Sequence, residues 1–315
     1  MPTIPAVERH PVSTALPLFV LVPPLTAFDA ARLVRELPAA VDAGVAGLIL
    51  REGPAGPATI DPSVLAGYLV DSGPALIVEA HTSRHAPYNL ARRLQSLARI
   101  TGGRAGVLLQ GDGLDPLTST NNGNDPATVV DRESATAEYL AVLDALWSSF
   151  PEEALLGDAA AGIFANPDLV RPPNFAGSLY RVAGALNIPL QAAHRPLLAL
   201  EAAGADGAAG LLDTATIDAI LTEPSSSVHT PAGASARPAQ WHRLSAGIDL
   251  LEEITAAAGR PGTAAVVRES PVGTDPLAAL TSPFIRAARD AGLLRLGDSD
   301  IPLRQLLGPR EVVAA

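Results

Sequence analysis

The stretch PYNLARRLQSLARITGGRAGVLL (Pro87–Leu109) predicts a helix, a turn and a strand in immediate succession. Proline is favoured in the first turn of a helix. Leu90, Leu94 and Leu97 follow at the spacing of one helical face, so they are expected to form its buried stripe. The Gly102-Gly103 pair ends the helix, and the apolar run after it is typical of a strand buried on both faces. This stretch therefore predicts an α/β architecture.

Three arginines of this helix, Arg92, Arg93 and Arg99, flank the leucine stripe. The chain contains no lysine, so arginine supplies all of its strongly basic side chains. We expect these three guanidinium groups to face solvent or a second subunit and not to carry chemistry.

The same pattern recurs along the chain. Short apolar runs lie at 16–22, 46–51, 74–80, 104–110, 187–193, 207–212 and 263–269. Amphipathic segments separate them, and alternating strands and helices imply a parallel sheet with right-handed crossovers. The sequence therefore predicts one domain over residues 1–315, a (β/α)8 barrel of the TIM type. No eighth strand can be assigned, which predicts an incomplete or irregular last βα unit, and a doubly wound open sheet is the alternative.

Charge and composition argue against several classes of protein. The net charge is −11 and no basic cluster offsets it, which disfavours binding to nucleic acid. The absence of cysteine excludes disulfides, thiolate zinc sites and cysteine nucleophiles. The apolar run near the N-terminus is too short to span a membrane, and no cationic segment precedes it. We therefore expect a cytoplasmic protein that binds neither membranes nor nucleic acid.

Polar residues follow two neighbouring strands of the predicted barrel. His81, Thr82 and Ser83 come at the end of the third strand, and Gln110 and Asp112 at the end of the fourth. Active sites of parallel barrels lie at the carboxyl ends of the strands. These five residues are therefore expected to meet at the mouth of an apolar barrel, which is the usual place for a ligand.

His81 is the candidate catalytic residue of this group. An imidazole at the mouth could donate a hydrogen bond to a ligand or transfer a proton, and the alternative is a loop histidine bonded to the backbone. The spacing of His81, His85 and His194 matches no recognised metal motif, so no metal site is predicted. The short GDG at 111–113 is not a dinucleotide-binding fingerprint.

Four segments of the chain resemble the luciferase-like flavin monooxygenases, in the branch of the nitrilotriacetate and dibenzothiophene-sulfone monooxygenases. The run PYNLARRLQSLARITGGRAG is similar to a signature of that branch. In family order there follow AEYLAVLDALW (137–147), IPLQAAHRPLLALEAAGADGAAGLL (188–212), and FIRAARDAGLLR with IPLRQLLG (284–308). This resemblance implies a TIM barrel that oxygenates a small organic substrate with reduced FMN, supplied by a separate flavin reductase, and that forms a homodimer. A deazaflavin is the alternative cofactor.

The resemblance also implies roles for individual residues. Thr82 and Ser83 would lie beside the flavin ring, and Gln110 and Asp112 near its polar edge or its ribityl chain. The loop from Gln191 to Leu198 would take the phosphate, and the residues assigned to cofactor binding there are Gln191, Ala193, His194 and Arg195.

The chain departs from the family pattern at this second group. Ala193 and Arg195 replace a glycine and a serine of the family loop. Glu133 stands where the family often has tyrosine, Arg51-Glu52 follows the second strand, and the chain is shorter than is typical of the branch. Two hypotheses therefore remain: a flavin-dependent oxidoreductase with altered cofactor contacts, or a degenerate barrel without flavin chemistry that acts as a binding or partner subunit.

Overall fold

Eight parallel strands form a closed barrel in the computed structural model. The structure describes residues 15–54, 59–121, 131–201, 211, 217–223, 236–245, 250–270, 274–297, 301–307 and 311–312. The strands are β1 Leu18–Val22, β2 Val45–Leu50, β3 Ala75–His81, β4 Ala105–Gln110, β5 Leu197–Glu201, β6 Ala219–Thr222, β7 Ala239–Arg243 and β8 Thr263–Glu269. Each strand pairs with its neighbours in chain order, and β8 closes onto β1. The predicted barrel is confirmed, and its last strand is in register with the first.

Helices cover the outside of the barrel between the strands. They are α1 Ala27–Ala43, α2 Pro62–Tyr68, α3 Pro87–Ile100, α4 Pro116–Asn121, α5 Arg132–Trp147, α6 Leu250–Ala258, α7 Pro283–Asp290 and α8 Leu303–Leu306. The predicted stripe of α3 is confirmed, because Leu90, Leu94 and Leu97 are all buried. Within the described residues, no helix is long and apolar enough to cross a membrane.

Five of the seven predicted strands are confirmed, and the run at 187–193 is wrong. The chain there passes through a short 3-10 turn at Ala192–His194, and β5 begins only at Leu197. The strand starts just after Pro196, where four consecutive apolar side chains become buried. The predicted run at 207–212 lies outside the described residues except for Leu211. Strands β6 and β7 were not predicted.

The interior of the barrel is packed with side chains. Phe19 of β1 stacks on Trp241 of β7 with ring centroids 4.9 Å apart. Gly47 of β2 makes room for this pair, because a Cβ atom there would lie 2.3 Å from the Phe19 ring. Leu303 and Leu306 of α8 join the same cluster at the amino-terminal end of the strands, where the Leu303 amide donates to the Gly103 carbonyl at 2.9 Å. The described interior of the barrel is therefore filled with side chains and does not form a pore.

A long connection between α5 and β5 runs along the outside of the barrel. It contains the hairpins Leu155–Asp158 with Ile163–Ala165 and Phe175–Ala176 with Arg181–Val182. The Tyr88 hydroxyl donates to the Ala185 carbonyl at 3.2 Å, so the connection is fixed to α3. A further two-stranded pairing joins Ala236–Arg237 to Glu311–Val312.

Candidate functional site

Six polar side chains form a closed ring across the mouth of the barrel. They are Arg51, Glu79, Gln110, Glu201, Arg243 and Glu269, each within two residues of the carboxyl end of a different strand. Side chains on a strand alternate between its two faces. Each ring residue lies two positions beyond an apolar residue of the barrel interior, as Arg243 follows Trp241 and Glu79 follows Ile77. Alternation therefore directs all six into the barrel.

Glu79 is the most buried member of this ring, with 3% of its surface exposed. Its Oε1 atom accepts hydrogen bonds from Arg51 Nε at 3.3 Å and from Gln110 Nε2 at 3.0 Å. Its Oε2 atom accepts the backbone amide of Glu52 at 2.9 Å. The cost of burying a carboxylate is thus offset by charge-assisted hydrogen bonds.

Arg243 closes the other side of the ring. Its guanidinium donates to Glu269 Oε2 at 2.8 Å and to Glu201, and it lies 3.4 Å from Glu223 Oε1. Glu201 also accepts from Gln110, and Arg51 lies 3.6 Å from Glu269. Two guanidinium groups and one amide thus satisfy three carboxylates in a continuous circuit.

A cavity of about 510 Å³ lies at this mouth. Its lining consists of Pro24, Arg51, Glu52, Glu79, His81, Gln110, Glu201 and Glu223. This volume falls within the range of small-molecule sites. Four of the lining residues are glutamates and one is an arginine, so a ligand meets a predominantly acidic wall.

His81 and Asp112 form a hydrogen-bonded pair beside the cavity. His81 Nδ1 lies 2.8 Å from Asp112 Oδ2, while Asp112 Oδ1 accepts the Ser83 amide at 2.9 Å and the Thr82 hydroxyl at 3.3 Å. Burial by itself raises the pKa of Asp112, but the hydrogen bonds from Ser83 and His81 outweigh it and hold the pKa below its ordinary value. An ionised Asp112 accepts a hydrogen bond from the protonated Nδ1 of His81. Nε2 is then the ring nitrogen that is available to a ligand.

Two features of the backbone hold His81 and Asp112 together. The register of β3 against β4 places His81 opposite Gln110. Gly111 then lets helix α5 approach the loop, because a Cβ atom at this position would lie 2.2 Å from Thr136 Oγ1. The expected convergence of the five residues that follow β3 and β4 is therefore observed.

Glu52 supports the same region from the end of β2. Its Oε2 atom accepts the His81 amide at 3.0 Å, and its Oε1 atom lies 3.0 Å from His85 Nε2. Desolvation raises the pKa of Glu52, but the hydrogen bonds from the His85 ring and from the His81 amide outweigh it and lower the pKa. The carboxylate is therefore ionised and orients two histidines.

The predicted phosphate residues lie at the opposite end of the barrel. Gln191, Ala193, His194 and Arg195 precede β5 and do not follow it. His194 packs against Gly103, which precedes β4: a Cβ atom on that glycine would lie 3.1 Å from the His194 Cα atom. The expectation that these four residues share the mouth with His81 is wrong, because the strand that sets their position begins later than predicted.

Arg195 is engaged in contacts of its own at this end. Its Nη2 atom donates to Asp144 Oδ1 at 2.7 Å, and its guanidinium carbon lies 5.3 Å from the centroid of the Trp147 ring. Both contacts are to helix α5, so Arg195 joins β5 to this helix.

The charged ring is the feature that the sequence analysis missed. The apolar runs of its strands end on a charged or polar residue: LILR, LIVE, VLLQ, LLALE and VVRE. A charge at an interior position of a barrel strand must meet a partner at the same level on another strand. This regular ending was the signal from which the ring could have been predicted.

Comparison with known proteins finds monooxygenases among those that are similar in sequence to this chain. No family model matches the chain. Nitrilotriacetate monooxygenase component A of Aminobacter aminovorans is 31% identical over 127 residues, which are 39% of this chain and 27% of that protein. N-acetyl-S-(2-succino)cysteine monooxygenase of Bacillus subtilis is 24% identical over 148 residues, which are 47% and 34% of the two chains. The matched segments thus span about a third of these relatives or less.

The fold comparison extends over nearly the whole chain. The crystal structure of the long-chain alkane monooxygenase LadA superposes with a TM-score of 0.65 at 13% identity, covering 94% of this chain and 96% of that one. At this identity the match shows the shared barrel fold only.

Proposed function

We propose, from the premise that this chain belongs to the luciferase-like flavin monooxygenase family, that its mouth binds the ring of a reduced flavin. The reaction class we propose is the oxygenation of a small organic substrate. The observation that supports this best is the His81–Asp112 pair, held beside a cavity of about 510 Å³ at the end where parallel barrels bind their ligands. Relatives that are monooxygenases, among them those for nitrilotriacetate and dibenzothiophene sulfone, support the reaction class.

The residues of the mouth fit the ring of a flavin. The cavity has the volume for a tricyclic ring system, and Arg51, His81 and Gln110 contribute nitrogen atoms to its lining. Thr82 and Ser83 would lie at the edge of this site, held in place by Asp112. The anionic tail of the cofactor has no assigned partner within the described part of the chain, because the residues predicted to bind it lie at the other end.

A reduced flavin supplies the electrons with which one atom of dioxygen enters the substrate and the other leaves as water. The protein's own contribution is binding, orientation and proton handling. His81, oriented by the Asp112 carboxylate, would accept or donate a proton at Nε2. The charged ring beneath the cavity would hold the mouth in shape and separate it from the apolar interior.

A second function is favoured by one specific observation. The polar groups of the ring already bond one another, and the cavity wall carries more carboxylates than cations. Such a wall repels an anionic cofactor. A degenerate barrel that acts as a binding or partner subunit without flavin chemistry is therefore the alternative.

Four further attributes complete the leading proposal. The cofactor is reduced FMN delivered by a separate flavin reductase, with a deazaflavin as the alternative. The protein is a cytoplasmic homodimer, and its substrate is a small organic molecule of unassigned identity. Apart from the cytoplasmic location, these attributes rest on the family resemblance.

Anaerobic titration with reduced FMN, and separately with a reduced deazaflavin, tests the proposal. We expect saturable binding of one cofactor, which is weakened in His81→Asn. The matched control is His194→Asn, which changes a histidine at the opposite end of the barrel and should bind as the unmodified protein does. Absence of binding to either cofactor at high micromolar protein would favour the partner-subunit alternative.

A further inference from the structure

Arg93, in the run that predicts the fold, reaches from helix α3 toward the mouth. Its Nη2 atom lies 2.8 Å from His85 Nδ1. A guanidinium can only donate hydrogen bonds. Nδ1 of His85 must therefore accept with its lone pair, and the ring proton of the neutral imidazole resides on Nε2. That nitrogen lies 3.0 Å from Glu52 Oε1, the partner that this tautomer requires.

The guanidinium is itself held from a second side. Arg93 Nη1 donates to Asp61 Oδ2 at 3.0 Å and to Ser63 Oγ at 3.1 Å. Asp61 is the N-cap of helix α2 and also accepts the Ser63 amide. Burial raises the pKa of Asp61, but the bonds from Ser63 and the charge of Arg93 outweigh it and lower the pKa. The guanidinium plane is thus fixed between two helices.

The far end of this chain of contacts is the backbone of His81. Glu52, oriented by His85, accepts the His81 amide at 3.0 Å. An arginine stays protonated at all ordinary pH values, so the chain cannot conduct protons through Arg93. Its effect is to fix the positions of the Glu52 carboxylate, which lines the cavity, and of His81.

We infer that Arg93 is a positioning residue: it sets the His85 tautomer and, through Glu52, the orientation of His81 at the cavity. Arg92, the adjacent residue, is exposed and makes no comparable contact within the described residues. The consequence for turnover rests on the proposed function, whereas the tautomer and the placement of His81 do not.

The test is nitrogen-15 NMR of the histidine rings in the full chain without cofactor. The chain has six histidines, so their ring resonances can be assigned by single substitutions. We expect His85 to show the pattern of a proton on Nε2 and an unprotonated Nδ1. In Arg93→Met this pattern should be lost and the His81 amide resonance should move. Arg93→Lys, which keeps a charged donor, should restore the pattern in part, and Arg92→Met should leave both signals in place.

Two results would overturn the inference. One is a wild-type His85 with its proton on Nδ1, a measurement that needs no variant and stands even if Arg93→Met does not fold. The other is a folded Arg93→Met whose His85 and His81 signals are unchanged.

The activity measurement separates this inference from the proposed function. If the protein turns over a reduced flavin, Arg93→Met should lower that rate by about tenfold or more, since small misplacements of active-site groups have effects of this order. Arg92→Met should not. An inactive wild-type protein with the expected NMR result would refute the proposed function and support the positioning role.

Discussion

The two halves of the barrel contribute different chemistry to the mouth. Strands β3 and β4 of the first half carry His81 and Asp112, which pair with each other and leave a ring nitrogen for a ligand. Strands β5 to β8 carry Glu201, Arg243 and Glu269, which form ion pairs with one another within the ring. Under the proposed function, the first half binds the ligand and the second half maintains the shape of the mouth. Substitutions in the first half should therefore lower activity, and those in the second half should lower stability.

The largest effect should come from Arg243→Met. The change removes the cation that faces Glu201, Glu223 and Glu269, so that Arg51 is the one guanidinium group of the ring that remains. Breaking a largely buried ion pair from one side lowers the free energy of unfolding by about 3–5 kcal/mol. Urea denaturation at neutral pH measures this loss.

The double variant Arg243→Met with Glu201→Gln is the control for this prediction. Because it also removes a carboxylate, it should recover a substantial part of the lost stability. If both variants were as stable as the unmodified protein, the ring would be a surface feature and the contrast between the halves would fail.

A second effect in the same half concerns His242, which points away from the barrel interior. Burial lowers its pKa to about 4, and the charge of Arg260 adds to this shift. The unfolded chain takes up a proton below about pH 6.5, whereas the folded protein does not do so until about pH 4. Neutral His242 therefore costs no stability above pH 6.5. As the pH falls toward 4, the free energy of unfolding decreases by up to about 3 kcal/mol, because the unfolded state binds the proton and the folded state does not.

Denaturation curves at pH 7 and pH 4.5 test this assignment. In His242→Gln the difference between the two curves should shrink, because the side chain that titrates is gone. His194→Asn, at the base of the barrel, is the matched control and should retain the full acid sensitivity. An unchanged pH dependence in His242→Gln would show that carboxylates alone cause the acid lability.

In the first half, Asp112→Asn should affect turnover more than folding. The amide oxygen can still accept the Ser83 amide, so the free energy of unfolding should change by less than about 1 kcal/mol. The loss of the carboxylate deprives His81 of the acceptor that orients it, and formation of the oxygenated product should slow by about 100-fold. A variant that lost stability instead of rate would reverse the roles assigned to the two halves.

The halves also differ in how much of them could be predicted. Strands β1 to β4 are continuous apolar runs bounded by helices with clear caps, and local periodicity suffices to find them. In the second half, β6 has only four residues, Ala219–Thr222. A run this short is difficult to recognise as a strand from the sequence. Strand β7, Ala239–Arg243, mixes polar and aromatic residues because two of its members face charged or hydrogen-bonding partners. A strand of this kind is defined by its neighbours in space, which the sequence does not reveal.

The candidate site shows the same limit. The meeting of His81 with Asp112 follows from adjacent strands and could be predicted from strand ends. The polar strand endings indicate that charges meet inside the barrel, but the partners of Arg243 could not be assigned from them, since those partners lie up to 42 residues away in the chain. The error at Gln191–Arg195 arose from a single misplaced strand start, which moved four residues from one end of the barrel to the other.

The smallest effect is expected for Arg195→Ala, at that other end. Removal of Arg195 leaves its partner Asp144 in contact with water, because 44% of the Asp144 side chain is exposed, so the lost ion pair is worth about 1 kcal/mol or less. The affinity for reduced FMN should not change, whereas loss of a phosphate ligand would weaken it by about 1.5–3 kcal/mol. Arg99→Ala, which removes another surface pair with Glu152, is the control. A selective loss of flavin affinity in Arg195→Ala would mean that the cofactor binds near the amino-terminal ends of the strands. The different roles assigned to the two halves of the barrel would then be wrong.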